Sequence, residues 1–327
     1  MKNIKISMGN NWPLEKQTPN RMAEWGEYKF FINDNTEECD YWFVLYDIEK
    51  PIKGICNPKN VFFICGEPED ICVYKRRFVE QFGGLITTQS VEYDVLKVIR
   101  KTILPWMIGA RFIDGKMADV QSKDYDELMR NFGEVKKTKL ISVISSDKNF
   151  TEGHRKRQQF VGFLKEEFKD NIDVFGRGIR DFEDKWEVIA PYKYHVALEN
   201  CQVRDYITEK LTDAYLSEAY PIYWGCPNVD EYYPSDSLTV IDIEQPQLAA
   251  DIIKKVIEGN YYEKYRADIL KGKKLVLDKY NVFPELANIM DELSRAEVKG
   301  EKKKITIYPN GDCNFLWDVK KRMGIID

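Results

Sequence analysis

The sequence predicts an α/β protein built of two Rossmann-like domains facing a cleft. Three observations carry that expectation. Apolar strand-like runs alternate with amphipathic helical stretches in both halves of the chain. The length, 327 residues, suits two domains of ordinary size. The run from Tyr192 to Pro227, YKYHVALENCQVRDYITEKLTDAYLSEAYPIYWGCP, reads as strand, loop, helix and strand, the βαβ unit of a parallel sheet.

In a first domain set at 1–135, residues 1–8 and 28–32 (YKFFI) read as strands. DYWFVLYDI at 40–48 is a third, too apolar throughout to be half exposed. NVFFICGEPED at 60–70 is a fourth and breaks at Gly66-Glu67-Pro68-Glu69. Residues 74–82 read as helix, 84–89 (GLITTQ) as strand and 104–109 (LPWMIG) as a rigid Trp-Pro loop. The charged stretch 123–139, helical in part, reads as the linker.

A second domain, 136–297, opens on the strand LISVISSD (140–147) and the helix TEGHRKRQQFVGFLKEEF. IDVFGRG (172–178) is a strand ending in a Gly-rich turn. In the unit that follows, Tyr194, Val196 and Leu198 alternate with His195 and Ala197 and end at Glu199-Asn200. Thr208 stands at an N-cap position before EKLTDAYLSEA, whose Leu211, Ala214 and Tyr215 share one face. YPIYW is a second buried strand, stopped by Gly225 and Pro227. LTVIDI (238–243) reads as strand, and 246–258 and 261–294 as helical. The tail, 298–327, has a basic run, a strand-like ITIY and a turn at Pro309-Asn310-Gly311-Asp312, and reads as structure packed on the body.

Glu199, Asn200, Arg204, Asp205, Tyr206, Glu209 and Lys210 would converge near one helix start, at the carboxyl edge where such sheets bind ligands. Free backbone N–H groups and the helix dipole make that start an anion site. The dipole disfavours a cation in the first turn by about 0.3–1 kcal/mol, so Lys210 there suggests an anion to neutralise. The plainer alternative is a solvated helix start.

ALENCQVRDYITEKLTDAYLSEAYPIYWGCPNVDEYYP resembles the donor-binding signature of glycosyltransferase family 10, the α-1,3/α-1,4-fucosyltransferases. That signature is Glu-Asn, a short loop, Tyr-(Val/Ile)-Thr-Glu-Lys, a helix, then Pro-(Ile/Val)-Tyr/Val-Trp/Tyr-Gly. Cys201 departs from it where the family has Ser or Thr. The resemblance implies a GT-B fold of bacterial type, with the first domain on the acceptor side and the second holding the donor. It implies inverting transfer of L-fucose from GDP-β-L-fucose to a hydroxyl of an N-acetylglucosamine-containing glycan in lipopolysaccharide or capsule. Aligning RQQFVGFL with the family's Arg-x-x-(Phe/Leu) helix makes Arg157 the diphosphate arginine, with Arg155 its rival. Lys210 and the Thr208 helix start join it, while Glu209 and Asn200 hold ribose or the transferred sugar. Tyr206 packs on the nucleotide, and Gly176 lets backbone approach the donor.

The reaction also needs a base. Glu67 ends a buried strand, where partial desolvation would raise a carboxyl towards the range of a general base, and family members carry Gly-Glu in this place. Glu69 and Asp70 are nearby alternatives, and a structural Glu67 is the plainer one. Glu69, Tyr74 and Trp106 are the acceptor-side candidates. The only Asp-x-Asp, Asp124-Tyr125-Asp126, opens a charged helix and reads as a helix start rather than a metal site. The expectation is that no metal or cofactor is required, with stimulation by a divalent ion left open.

Lys and Arg total 49 against 54 Asp and Glu, which disfavours a nucleic-acid partner. No apolar run reaches membrane-spanning length and the start lacks a signal-peptide core. The expectation is a cytoplasmic protein, at most peripheral at the inner membrane, since Lys302-Lys303-Lys304 adds only about 1 kcal/mol per charge there. The seven cysteines read as free, mostly buried thiols, and two histidines are too few for a His-rich metal site. The aromatics of 186–233 read mainly as core. A family 10-like transferase using another GDP-sugar, and a non-catalytic glycan- or nucleotide-binding homologue, stay open, as does oligomeric state.

Overall fold

A computed structural model describes residues 1–10, 12–113, 116–145, 151–295 and 300–313. The chain divides into two compact units, the first Met1–Ile103 with Val282–Asp327 and the second Leu104–Asn281. Each carries its own largely parallel sheet, so the two expected Rossmann-like domains are both present.

Unit 1 begins with β1 (Lys2–Met8), β2 (Glu24–Trp25), β3 (Tyr28–Ile32), β4 (Tyr41–Leu45), β5 (Ile52–Cys56) and β6 (Val61–Ile64). A single-turn helix α1 (Arg76–Val79), β7 (Gly84–Thr87) and β8 (Lys97–Arg100) follow. Seven strands order as β2-β3-β1-β4-β6-β7-β8, parallel except at β2–β3. β4 and β6 are buried along their whole length, as a strand covered on both faces must be. Trp42, Val44, Phe63, Phe78 and Leu85 share one core. The helix expected over 74–82 shrinks to one turn because Lys75 is extended (φ −61°, ψ 136°).

Unit 2 opens with the antiparallel pair β9 (Ala110–Ile113) and β10 (Lys116–Gln121), then α2 (Tyr125–Arg130). Next come β11 (Lys139–Ile144), α3 (Glu152–Phe168), β12 (Ile172–Phe175), α4 (Lys185–Ile189) and β13 (Tyr192–Leu198). The unit closes with α5 (Glu209–Leu216), β14 (Tyr220–Trp224), β15 (Thr239–Val240), α6 (Pro246–Glu258), α7 (Tyr261–Lys264) and α8 (Arg266–Asp278). Five parallel strands order as β12-β11-β13-β14-β15. The strand expected over 238–243 is only the two residues of β15. Leu164 of α3, Leu211 and Tyr215 of α5, Ile253 of α6 and Ile269 of α8 fill the core around β13.

The chain then returns to unit 1 with α9 (Val282–Arg295) and β16 (Lys303–Ile307). Phe283 meets the Phe30 ring edge-on at 4.9 Å, and the Tyr28 hydroxyl donates to Asp291. β16 pairs antiparallel with β5 and buries Ile307, so the tail packs on the body through residue 313. Its amphipathic end, 314–327, lies outside the described residues.

Both expected domain boundaries therefore move. The stretch 123–139 is no linker: Trp106, Ile108 and Leu128 lie in the unit 2 core, and the Tyr125 hydroxyl donates to Asp278 at 2.8 Å. The junction falls at 103/104 instead of 135/136, and 282–295 leave the second domain for the first.

Candidate functional site

In sequence order the unit 2 sheet runs second, first, third, fourth, fifth, so the winding reverses between β11 and β13. Ligands of doubly wound sheets bind at that reversal, beyond the carboxyl ends of the strands. α3 follows β11 and α5 follows β13, so both helix starts belong to it. Gly153, in the first turn of α3, shows how closely they meet: a methyl there would lie 1.9 Å from the Asn200 carbonyl oxygen. Thr151 caps α3 by accepting from His154 N, and Thr208 caps α5 by accepting from Lys210 N at 3.3 Å.

Most of the donor-side residues inferred from the sequence meet here. Arg157 is 7% exposed, and its Nη1 donates to the Leu198 carbonyl at 3.1 Å. Its buried Nε has no hydrogen-bond partner among the described residues. Burial lowers the guanidinium pKa, opposed by the charges of Glu199 and Glu209. Arg155 points to solvent, so of the two arginines only Arg157 is built into the end of β13. Glu199 is fully buried; it accepts from Thr208 N at 2.8 Å and Thr208 Oγ1 at 2.7 Å. Its burial raises its pKa, although Lys210 and Thr208 oppose the shift.

Lys210 Nζ lies 3.6 Å from Glu199 and 3.3 Å from Glu209 Oε1. The same Glu209 oxygen faces Lys185 Nζ of α4 at 3.3 Å. Burial alone would raise the Glu209 carboxyl, but Lys210 and Lys185 outweigh it and hold it far below the usual carboxylate range. Lys185 also contacts Asp213 Oδ2 at 3.0 Å, and Asp213 Oδ1 accepts from Met107 N and Ile108 N. Glu199, Glu209 and Asp213 thus stand against Arg157, Lys185 and Lys210, three charges of each sign. Sequence reasoning missed Lys185 and Asp213. Asp213 lies one turn after Glu209 on the signature helix, but Lys185 comes from a separate element with no motif.

Other expectations need correcting. Tyr206 is 2% exposed, so its ring is covered by protein and offers no free face to a base. Gly176 has φ +139°, and a methyl there would meet the Ser145 carbonyl at 1.7 Å. The close approach that demands glycine is to the chain itself, at the end of β11. Trp106 is not on the first domain's side but in the core of unit 2. Tyr74 is also core: its ring meets Phe63 edge-on at 4.7 Å and stacks on Phe78 at 5.5 Å.

Glu69 acts as a clasp, its Oε1 accepting from the Ser90 hydroxyl at 2.6 Å and Val91 N at 3.0 Å. Those bonds, led by Ser90, lower its pKa. Glu67 is half-buried at the end of β6, its carbonyl held by Gln89 Nε2 at 2.8 Å.

His195 bonds Ser142 at 2.9 Å, and burial pushes its pKa down to about 3, so it is a neutral core residue. Asp124 caps α2 by accepting from Glu127 N at 2.8 Å, the helix-start role expected of it. Among the described residues no group of three or more His, Cys, Asp or Glu side chains is placed to hold a metal ion. Nor is any described helix long and apolar enough to cross a membrane. All seven cysteines are free, and five of them are buried.

A doubly wound parallel sheet with two helix starts and a buried arginine at its reversal point is a Rossmann-class arrangement, whose ligands bind beyond the strand ends. Residues 134–269 match the sequence model of the glycosyltransferase family 10 (fucosyltransferase) C-terminal domain. Over 73 residues it is 40% identical to alpha-(1,3)-fucosyltransferase FucT of Helicobacter pylori, covering 22% of this chain and 15% of that one. Over 96 residues it is 33% identical to GDP-fucose protein O-fucosyltransferase 3 of Mus musculus, covering 28% and 20%. The chain thus spans a fifth or less of these two relatives' lengths. A crystal structure of an alpha1,3-fucosyltransferase with GDP aligns over 86% of this chain and 92% of its own, at 18% identity and a TM-score of 0.48.

Proposed function

We propose that the chain is an inverting fucosyltransferase that moves L-fucose from GDP-β-L-fucose to a hydroxyl of an N-acetylglucosamine-containing glycan. One observation carries this reading: a guanidinium buried at the reversal point of unit 2 has an N–H with no described partner, beside a second cation and the α5 start. Buried donors are nearly always satisfied, so a buried N–H without a partner among the described residues suits an acceptor supplied by a ligand. A diphosphate supplies several, and guanidinium forks suit phosphate oxygens.

In this reading Arg157, Lys210 and the capped α5 start neutralise the departing GDP without a metal. Asn200 and Glu209 hold hydroxyls of ribose or sugar. Glu67 takes the proton as the acceptor oxygen bonds the anomeric carbon and the bond to the diphosphate oxygen breaks, inverting the centre in one displacement. The likeness to a protein O-fucosyltransferase favours a second acceptor class, a protein hydroxyl, on the same donor chemistry.

Release of nucleoside diphosphate measured with GDP-fucose, GDP-mannose and UDP-sugars, against glycan and peptide acceptors, tests the proposal. Turnover with GDP-fucose is expected, and Glu67→Gln should bind GDP normally while turnover falls by at least 100-fold. Full activity of Glu67→Gln overturns the base assignment, and preference for another nucleotide sugar overturns the donor.

A further inference from the structure

Lys185 is a half-buried cation that the donor reading leaves without a task. It belongs to α4, on the connection between β12 and β13, and reaches the site from outside the β13–α5–β14 signature. Its ammonium is shared between Asp213 Oδ2 at 3.0 Å and Glu209 Oε1 at 3.3 Å. Asp213 is itself fixed, because its other oxygen accepts the N–H groups of Met107 and Ile108, at 2.8 and 3.2 Å. The neighbouring Asp184 accepts from Gly109 N and Trp186 N, both at 2.8 Å, tying the start of α4 to the same 104–109 segment. A rigid anchor thus runs from the first residues of unit 2 through Asp213 and Lys185 to one oxygen of Glu209.

We propose that Lys185 is a positioning residue for the donor: anchored on Asp213, it clamps Glu209 Oε1 and keeps that carboxylate ionised and aimed at the donor's hydroxyls. The inference rests on the reading of Glu209 as a donor contact, and deepens it. Lys210 alone cannot serve this purpose. It is divided between Glu209 and Glu199, and a ligand diphosphate would compete for it. Among the described residues the ammonium of Lys185 bonds to the carboxylates of Glu209 and Asp213, so its hold on Glu209 survives arrival of the nucleotide.

Five charged groups face Glu209: Lys210 and Asp213 from α5, Lys185 from α4, Glu199 from the end of β13 and Arg157 from α3. Lys185 and Lys210 together hold the Glu209 carboxyl low against its burial. Without Lys185 the burial penalty is opposed by Lys210 alone, and the carboxyl takes up a proton at higher pH.

The test is calorimetric titration of GDP-fucose from pH 5 to 8 into the full chain. Lys185→Met alone would leave Asp213 an unpaired buried charge, so the variant is Lys185→Met with Asp213→Asn, which removes one charge of each sign and keeps an acceptor for Met107 and Ile108. Wild type should bind with little dependence on Glu209 titration. The double variant should bind about tenfold more weakly near pH 6 and recover towards pH 8, the size of one charge-assisted hydrogen bond. Lys185→Arg should restore the wild-type profile.

If the double variant does not fold, Lys185→Gln, which removes the cation but keeps an N–H for Asp213 Oδ2, should show the same pH-dependent weakening. A folded variant with wild-type affinity at every pH overturns the proposal. Absence of GDP-fucose binding in wild type overturns the donor reading itself, a separate and distinguishable outcome.

Discussion

Glu209 shows how single residues set the chemistry of the site. Its folded pKa lies below the usual value of 4.5 because, despite burial, Lys210 and Lys185 favour the charged form. Such a group adds stability above its unfolded pKa and loses it as pH falls through that value towards the folded one. Melting temperatures of wild type and Glu209→Gln should therefore differ most near neutral pH and converge below about pH 4.5. A gap that stays constant to pH 3 would show that the ion pairs do not stabilise the fold. Thr208, Glu209 and Lys210 were legible in the sequence because they are consecutive and follow the strand that aims them. Lys185 was not, since only the fold brings it there. Tyr74, Tyr206 and Trp106 were misjudged for a related reason: an aromatic in a loop segment gives no sign of whether its ring faces solvent or core.

At the scale of elements, the long strands and helices of both sheets follow from apolar runs and caps that the sequence displays. β8, with burial alternating along Lys97–Arg100, and the short β2 and β5 carry too little pattern to be read. The site depends on one element contact above others, that of α3 with the end of β13 at Gly153. Gly153→Ala gains about 1 kcal/mol of helix propensity, but it drives a methyl into a backbone oxygen, and overpacking of that kind costs about 1–3 kcal/mol. The collision should win, lowering the melting temperature by several degrees and weakening GDP binding as α3 shifts. Gly162→Ala in the same helix meets nothing within 4 Å and should stabilise slightly. Equal effects of the two substitutions would refute the close approach.

Over the whole molecule, the alternation of strand and helix was enough to expect two α/β units, but not where the chain passes between them. A charged helical stretch looks the same whether it links domains or packs on one, and α2 turned out to pack through Leu128. Nothing local marks α9 as unit 1 either; its Phe283 and Asp291 find Phe30 and Tyr28 on β3, far away in the sequence. The donor reading resides wholly in unit 2, which makes it separable from the acceptor and from Glu67.

The most direct measurement is therefore calorimetric binding of GDP to wild type and to Lys210→Ala. Among the described residues Lys210 Nζ meets Thr208 Oγ1 at 3.2 Å, Glu209 at 3.3 Å and Glu199 at 3.6 Å, contacts loose enough for a ligand anion to compete for its charge. Losing one charge-assisted contact predicts binding about 10- to 100-fold weaker in the variant. Equal affinity of the two proteins for GDP would contradict a diphosphate seat at the reversal point of unit 2.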